Sequence, residues 1–257
     1  FRSFREYGEW LRLLKTENVG GLKRAFERSR AREIILVSEA LHEQVIASIA
    51  RQISDRRDQL RLVVIAGPSS SGKTTFSKRL AVQLLAHGLR PFALELDNYF
   101  VNRDDTPKDE FGQFDFEALE ALDLPYFNEQ LQALMRGEEV QLPHFDFYTG
   151  QRQPGKAVQL EPGQLIIVEG IHGLNPRLAY ALPQEVLYRV YVSALTQLNL
   201  DRHNRVPTTD TRLIRRITRD ARTRGYSATD TLERWESVRR GEKRNIFPYQ
   251  EYADVMF

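Results

Sequence analysis

The stretch Gly67-Pro68-Ser69-Ser70-Ser71-Gly72-Lys73-Thr74 constrains this chain more than any other. In front of it stands Leu62-Val63-Val64-Ile65-Ala66, a short β-branched run suited to a parallel strand buried on both faces. Behind it, from Lys73, Phe76, Leu80 and Leu84 recur on one face of a helix that should stop at Gly88, with Pro91 preventing continuation. Phe92 to Leu96 then reads as a second strand, ending at Asp97. Strand, glycine loop, helix and strand in such close succession make a βαβ unit, so an α/β fold on a parallel sheet flanked by helices is expected.

The loop itself carries chemistry. Gly67 and Gly72 let the backbone curl until successive N–H groups point at one anion, and the following helix adds its positive end. With Pro68, Ser69, Ser70 and Ser71 between them, this is the pattern of a phosphate-binding P-loop, and the guest it implies is the phosphates of a nucleotide. Lys73 would reach the β- and γ-phosphates and the Thr74 hydroxyl would ligate Mg²⁺, with Thr75 a lesser helper.

Thirty-seven basic against 35 acidic residues leave a formal net charge of +2, so no global field marks a nucleic-acid or membrane protein. The longest apolar runs, Leu62 to Ala66 and Leu165 to Val168, are strand length, far short of a membrane span. Cysteine is absent, which removes disulfide and thiolate chemistry and fits a cytoplasmic location. The chain opens on Phe1 without an apolar leader, so both ends are read as cut points in a longer protein.

Residues 1 to 60 are charged and helical in character and are expected to form an N-terminal extension. The best helix in them is predicted to start at Ser38 as N-cap, with Leu41, Val45, Ile49 and Ile53 on its apolar face. Residues 61 to 257 would form one domain. In it a third strand, Gln164 to Val168, ends at Glu169; a fourth spans Tyr188 to Val192; and Val255 to Phe257 can start another. The stretch from Tyr99 to Gly112 reads as an irregular loop.

Strand ends line the ligand crevice of open α/β sheets, so Asp97 and Glu169 should face the loop. Asp97 can act as a base toward an attacking hydroxyl or simply form a turn. Glu169 can hold Mg²⁺ or be satisfied by backbone N–H groups. His172, alone in a glycine-containing turn, reads as structural. From Asp210 to Arg224, Leu213, Ile217 and Ala221 fall on one helical face, and Arg212, Arg216 and Arg219 on another. That cationic face is a solvated surface, an RNA-binding helix, or a lid whose guanidiniums close over a transferring phosphoryl group; the near-neutral chain and the missing aromatic stripe weigh against RNA. The run Pro143 to Arg152 offers aromatic faces for a flat ring, although alternation of Phe145 and Phe147 also fits a half-buried strand.

Taken together these residues resemble the uridine kinase and phosphoribulokinase family of P-loop kinases from about Leu62 onward. Beyond the P-loop, the family motifs appear in order as Asp97-Asn98-Tyr99-Phe100, Phe114-Asp115, Phe145-Asp146-Phe147, Val168-Glu169-Gly170-Ile171 and Arg215-Arg216-Ile217-Thr218-Arg219-Asp220. Glu-Gly-Ile-His-Gly-Leu-Asn-Pro and Pro-Thr-Thr-Asp-Thr-Arg-Leu-Ile-Arg-Arg are similar to a bacterial uridine kinase-like subgroup in which the kinase follows a threonyl-tRNA synthetase-like region. The resemblance implies a P-loop NTPase-type sheet with an Arg-rich helical lid at about residues 202 to 245, ATP and Mg²⁺ as cofactors, and a small-molecule nucleoside as partner. A homo-oligomer is left open.

By the same resemblance Asp97 is the general base toward a ribose 5′-hydroxyl, Asp115 and Arg216 lie near the sugar hydroxyls, and Arg219 and Arg224 are lid arginines on the phosphates. Phe114, Phe145 and Phe147 line the nucleoside pocket, and Phe100 replaces the family tyrosine. Two positions depart from the pattern: Gly150 and Tyr226 stand where uridine and cytidine kinases carry a histidine and an arginine that read the pyrimidine edge. His144, Tyr148, Gln151 and Arg152 are the polar neighbours placed to compensate. The expected activity is a nucleoside kinase, uridine being the default acceptor. Kinases for other hydroxylated metabolites and a nucleotide-binding regulator that transfers phosphate to nothing small are the alternatives.

Overall fold

The computed structural model describes residues 2–196, 198–201, 203–223 and 225–257. Its strands are β1 (Leu62–Ala66), β2 (Phe92–Glu95), β3 (Val140–Asp146), β4 (Gln151–Val158), β5 (Ile166–Glu169), β6 (Leu187–Tyr191) and β7 (Val255–Met256). Its helices are α1 (Arg2–Leu14), α2 (Val19–Glu27), α3 (Ala31–Asp55), α4 (Lys73–Ala86), α5 (Leu124–Met135), α6 (Thr208–Thr223) and α7 (Ala228–Asn245). Among the described residues, five strands form a parallel sheet in the order β2-β5-β1-β6-β7, and β3 pairs with β4 in a separate antiparallel hairpin.

Strand β1 is buried along its whole length because helices cover both faces of the sheet. Leu62 and Val64 point into one core with Leu94, Phe127, Leu131, Ile166 and Val168. Val63 and Ile65 point into the other, with Ile46, Ile49, Ile53, Phe76, Leu80 and Leu84 from α3 and α4. Helix α4 ends as expected: Gly88 adopts φ +78° and the Leu89 N–H returns to the Leu84 carbonyl at 2.9 Å. No helix among the described residues is long and apolar enough to cross a membrane.

Four local expectations change. Ser38 is not an N-cap but lies inside α3, which starts seven residues earlier at Ala31. The buried face of α3 is Ile46, Ile49, Ala50 and Ile53, while Val45 is 39% exposed; strict four-residue spacing drifts off a helix that repeats every 3.6 residues. The second strand stops at Glu95, and Asp97 sits in a 3₁₀ turn, Leu96–Tyr99, that continues from it. Of the two alternating aromatics, Phe145 is buried in β3 whereas Phe147 lies beyond the strand and is half exposed.

The register decides where the functional residues gather. Ile65 pairs with Glu169, and Glu95 pairs with Glu169 on the other side. The carboxyl ends of β1, β2 and β5 are therefore level, which puts the P-loop, the Asp97 turn and Glu169 along one edge.

Candidate active site

Gly67 is required by close approach. An added Cβ there would lie 2.1 Å from the Val192 carbonyl oxygen at the end of β6, and its φ of +154° suits glycine. Gly72, at φ +110°, precedes the first turn of α4 and makes no side-chain cap. The first N–H groups of α4 thus open into the loop, an arrangement that suits an anion. Ser69 and Ser71 are buried, and the hydroxyls of Ser70 and Ser71 have no hydrogen-bond partner among the described residues.

Lys73 bends back over the loop, its Nζ 3.4 Å from the Pro68 carbonyl. Burial pushes its ammonium below the ordinary lysine range, and the carboxylates of Glu169, Asp97 and Glu117 oppose that shift. The Thr74 hydroxyl donates to Glu169 Oε1 at 2.6 Å. Two oxygen donors at the end of the loop suit Mg²⁺, which takes one or two protein oxygens and completes its shell with phosphate and water. Thr75 is exposed on α4. His172 is buried, and burial pushes its pKa down to about 4, with a backbone hydrogen bond at Ala118 opposing the shift. No cluster of three metal-ligating side chains occurs among the described residues.

Asp97 is exposed at the mouth of this edge. Asp115 Oδ1 accepts the Glu117 N–H at 3.1 Å, and its other oxygen faces Arg244 of α7 at 3.7 Å. Glu117 was not anticipated. Its Oε2 is buried with no hydrogen-bond partner among the described residues, and burial drives its carboxyl above the usual range while Arg216 and Lys73 pull it down. Gly241 explains its place: a Cβ on that glycine would come within 2.4 Å of the Glu117 Cβ, so α7 presses directly against it. The Asn245 amide also donates to the Glu117 carbonyl at 2.7 Å. The only sequence trace of this contact is a glycine in the middle of a charged helix.

Helix α6 decides between the readings left open for its cationic face. Its buried residues are Arg212, Arg216 and Asp220, while Leu213 and Ile217 are half buried and Ala221 is exposed. The cationic face thus turns inward against the P-loop, and a solvated surface is ruled out. Arg212 Nε donates to the Ser69 carbonyl at 2.9 Å and Arg216 Nη1 to the Ser69 hydroxyl at 2.8 Å. Arg212, only 1% exposed, also forks onto Glu242 of α7 and lies over the Trp235 ring. Arg239 reaches the same carboxylate at 2.7 Å. Burial, and then the neighbouring Arg239 charge, lower Arg212 to about 10. Glu242 permits the inversion, because a guanidinium can be taken out of water when a carboxylate and a carbonyl meet its donors. Arg216 and Arg219 both pair with Asp220, at 3.3 and 2.7 Å. Arg224 lies outside the described residues.

The aromatic residues divide. Phe100, Phe145 and Phe147 form one cluster with ring centroids 5.2 to 6.4 Å apart. Phe114 makes its ring contact with Phe116, at 6.1 Å, and carries Lys108 over its face. Of the polar residues expected to compensate at the hairpin, Arg152 is held by Asp123 at 2.8 Å, and His144, Tyr148 and Gln151 are exposed.

Residues 62–257 match the model of the phosphoribulokinase / uridine kinase family, and that match carries nothing on a synthetase-like region upstream. The uridine kinase of Bacillus pumilus is 31% identical over 196 residues, covering 76% of this chain and 84% of that protein. The uridine kinase of Ligilactobacillus salivarius is 28% identical over 205 residues, with 79% and 87% covered. Among solved structures, a putative fructose transport system kinase from Silicibacter superposes with a TM-score of 0.56 at 21% identity, covering 82% of this chain and 98% of that one, a likeness of fold. With the P-loop on β1, the acidic strand end at Glu169 and the inward arginines of α6 all inside the matched region, the chain belongs to the phosphoribulokinase / uridine kinase family of P-loop kinases.

Proposed function

We propose that this chain is an ATP-dependent nucleoside kinase that moves the γ-phosphoryl group of ATP to a nucleoside 5′-hydroxyl. The observation that carries the reading is the facing of Lys73 by Asp97, Glu117 and Glu169 across the sheet edge. The phosphate cradle in this reading lies beside a carboxylate, Asp97, of the kind that takes a hydroxyl proton. In this reading the loop 67–75 holds the triphosphate and Lys73 stabilises charge on the transferred group. Asp97 orients and deprotonates the acceptor, and Arg216 and Arg219 exchange Asp220 and Ser69 for phosphate and sugar oxygens as α6 closes. Arg224 would serve beside them on the phosphates. Thr74 and Glu169 would hold Mg²⁺, which neutralises phosphate charge when bound. Phe100, Phe145 and Phe147 would stack on the base, with Asp115 at the sugar. Residues 61–257 would be the catalytic domain, working in the cytoplasm where ATP and nucleosides are found.

Arg240 and Arg244, which face Asp109 and Asp115 at 3.7 Å, favour a second reading in which the acceptor is a sugar phosphate. ATP turnover measured over ribonucleosides, deoxynucleosides and sugar phosphates separates the two, with Lys73→Ala expected to lose roughly 10² to 10³ in kcat. Failure of every acceptor to stimulate turnover in an ATP-binding protein would sink the kinase reading in favour of a nucleotide-binding regulator.

Glu117 sets a pH dependence in the nucleotide-free protein. Because its folded pKa is raised by burial, its contribution is fully present below the unfolded carboxylate pKa and is lost as pH rises through the folded value. Glu117→Gln is therefore expected to be more stable than the parent at neutral pH, with the difference closing on acidification. Urea midpoints measured from pH 4 to 8 check this; parallel curves for the two proteins refute it.

A further inference from the structure

The hairpin tip and the segment after Asp97 are bound into one unit. Asn98 Oδ1 accepts the Phe145 N–H at 3.1 Å, Asn102 Oδ1 accepts the Arg152 N–H at 3.0 Å, and the Arg103 N–H donates to the Gly150 carbonyl at 2.8 Å. The cluster of Phe100, Phe145 and Phe147 lies in the same unit. Gly150 adopts φ +73°, and a Cβ there would stand 2.7 Å from both Cζ and Nε of Arg103 and 2.9 Å from its Cβ. The missing side chain at 150 is therefore filled by a guanidinium supplied from another segment.

That guanidinium is under-used. Its Nη2 donates to the Phe147 carbonyl at 2.9 Å, which is its only side-chain hydrogen bond among the described residues. The rest of the fork is left for a ligand, next to aromatic faces. Competing groups nearby are committed: Arg152 to Asp123, and Asp146 to the N–H groups of Tyr148 and Thr149.

Resting on the kinase reading above, we propose that Arg103 determines acceptor specificity by donating hydrogen bonds to the carbonyl oxygen or ring nitrogen edge of a planar heterocycle stacked on the Phe100, Phe145 and Phe147 cluster. The fork supplies parallel donors, so a ligand with two adjacent acceptor atoms gains most. A phosphorylated open-chain acceptor gains nothing from the aromatic faces. Gly150 is part of the device, because only a residue without Cβ leaves the guanidinium its seat.

Calorimetric binding of uridine, cytidine, D-ribose and D-glycerate, run beside turnover with the same panel, tests this on the full chain. Cytidine carries two adjacent acceptors, O2 and N3, on a ring, uridine carries single carbonyl oxygens on either side of a ring N–H, D-glycerate presents paired oxygens as a carboxylate, and D-ribose lacks a ring edge and a carboxylate alike. Arg103→Ala is expected to weaken the two nucleosides by about ten- to a hundredfold while leaving D-ribose and ATP unchanged. Arg103→Lys should recover only part of the loss, because an ammonium has no fork. Gly150→Ala keeps Arg103 but displaces it, and should copy the Arg103→Ala profile with an unchanged ATP affinity. Equal weakening of D-ribose and nucleosides would make Arg103 structural and overturn the proposal. So would a loss confined to D-glycerate, or wild-type protein that binds none of the four. Arg103-dependent nucleoside binding without turnover would support the recognition role while the transfer reading fell.

Discussion

Replacing Asp97 with asparagine is expected to lower kcat by about 10² to 10⁴ while ATP binding stays within a factor of about two. The substitution keeps the shape of the side chain and the 3₁₀ turn that follows β2, but an amide cannot take a hydroxyl proton. Asp97 is exposed at the strand edge, so the change should not disturb the core. The loss belongs in kcat with little change in the acceptor KM, since the proton moves as the new bond forms. Steady-state kinetics with both substrates varied, together with nucleotide titration, checks this. Full activity in the Asp97→Asn protein would remove Asp97 as the base and turn attention to Glu117, whose carboxyl reaches the same lysine.

Glu242→Ala is expected to destabilise the protein by about 3 to 5 kcal/mol, the usual result of stranding a buried charge. Glu242 is fully buried and receives Arg212 and Arg239 together. Without it the Arg212 guanidinium keeps, among the described residues, the Ser69 carbonyl and the Trp235 face. For a chain of this length the thermal midpoint should fall by roughly 10 °C. Nucleotide affinity should weaken as well, because Arg212 braces the P-loop from behind. Adding Arg212→Met to Glu242→Ala should recover much of the stability by removing the orphaned charge, but not the affinity. Thermal unfolding and nucleotide titration of the single and double variants provide the test. A midpoint within a degree or two of the parent for Glu242→Ala would show that the buried network contributes little.

The legible parts of the molecule were those encoded by contiguous residues. An apolar run bounded by Gly67, a helix face of Phe76, Leu80 and Leu84, and a stop at Gly88 translate into β1, the P-loop and α4 because each depends on local dihedral preferences and period. Three further strands were foreseen to within a few residues for the same reason. Where the pattern was ambiguous, a distant partner intervened. The pattern of α6 left its cationic face open between solvent, RNA and a lid, and it is Glu242, thirty residues away, and the Ser69 carbonyl that draw Arg212 inward. No local period records that contact, since the electrostatic gain depends on which acid the tertiary fold brings alongside.

The same division runs through the candidate site. From sequence by itself came the glycine loop, its lysine and threonine, and two carboxylates, Glu169 at a strand end and Asp97 just past one, all tied to a loop and to the strands that carry it. Only the tertiary structure set the parallel register that places Glu169 against Thr74, slid Glu117 under Gly241, and seated Arg103 in the space above Gly150. Those contacts join residues far apart in the chain, and their energies depend on burial and neighbouring charge, which exist only once the sheet has assembled its two faces.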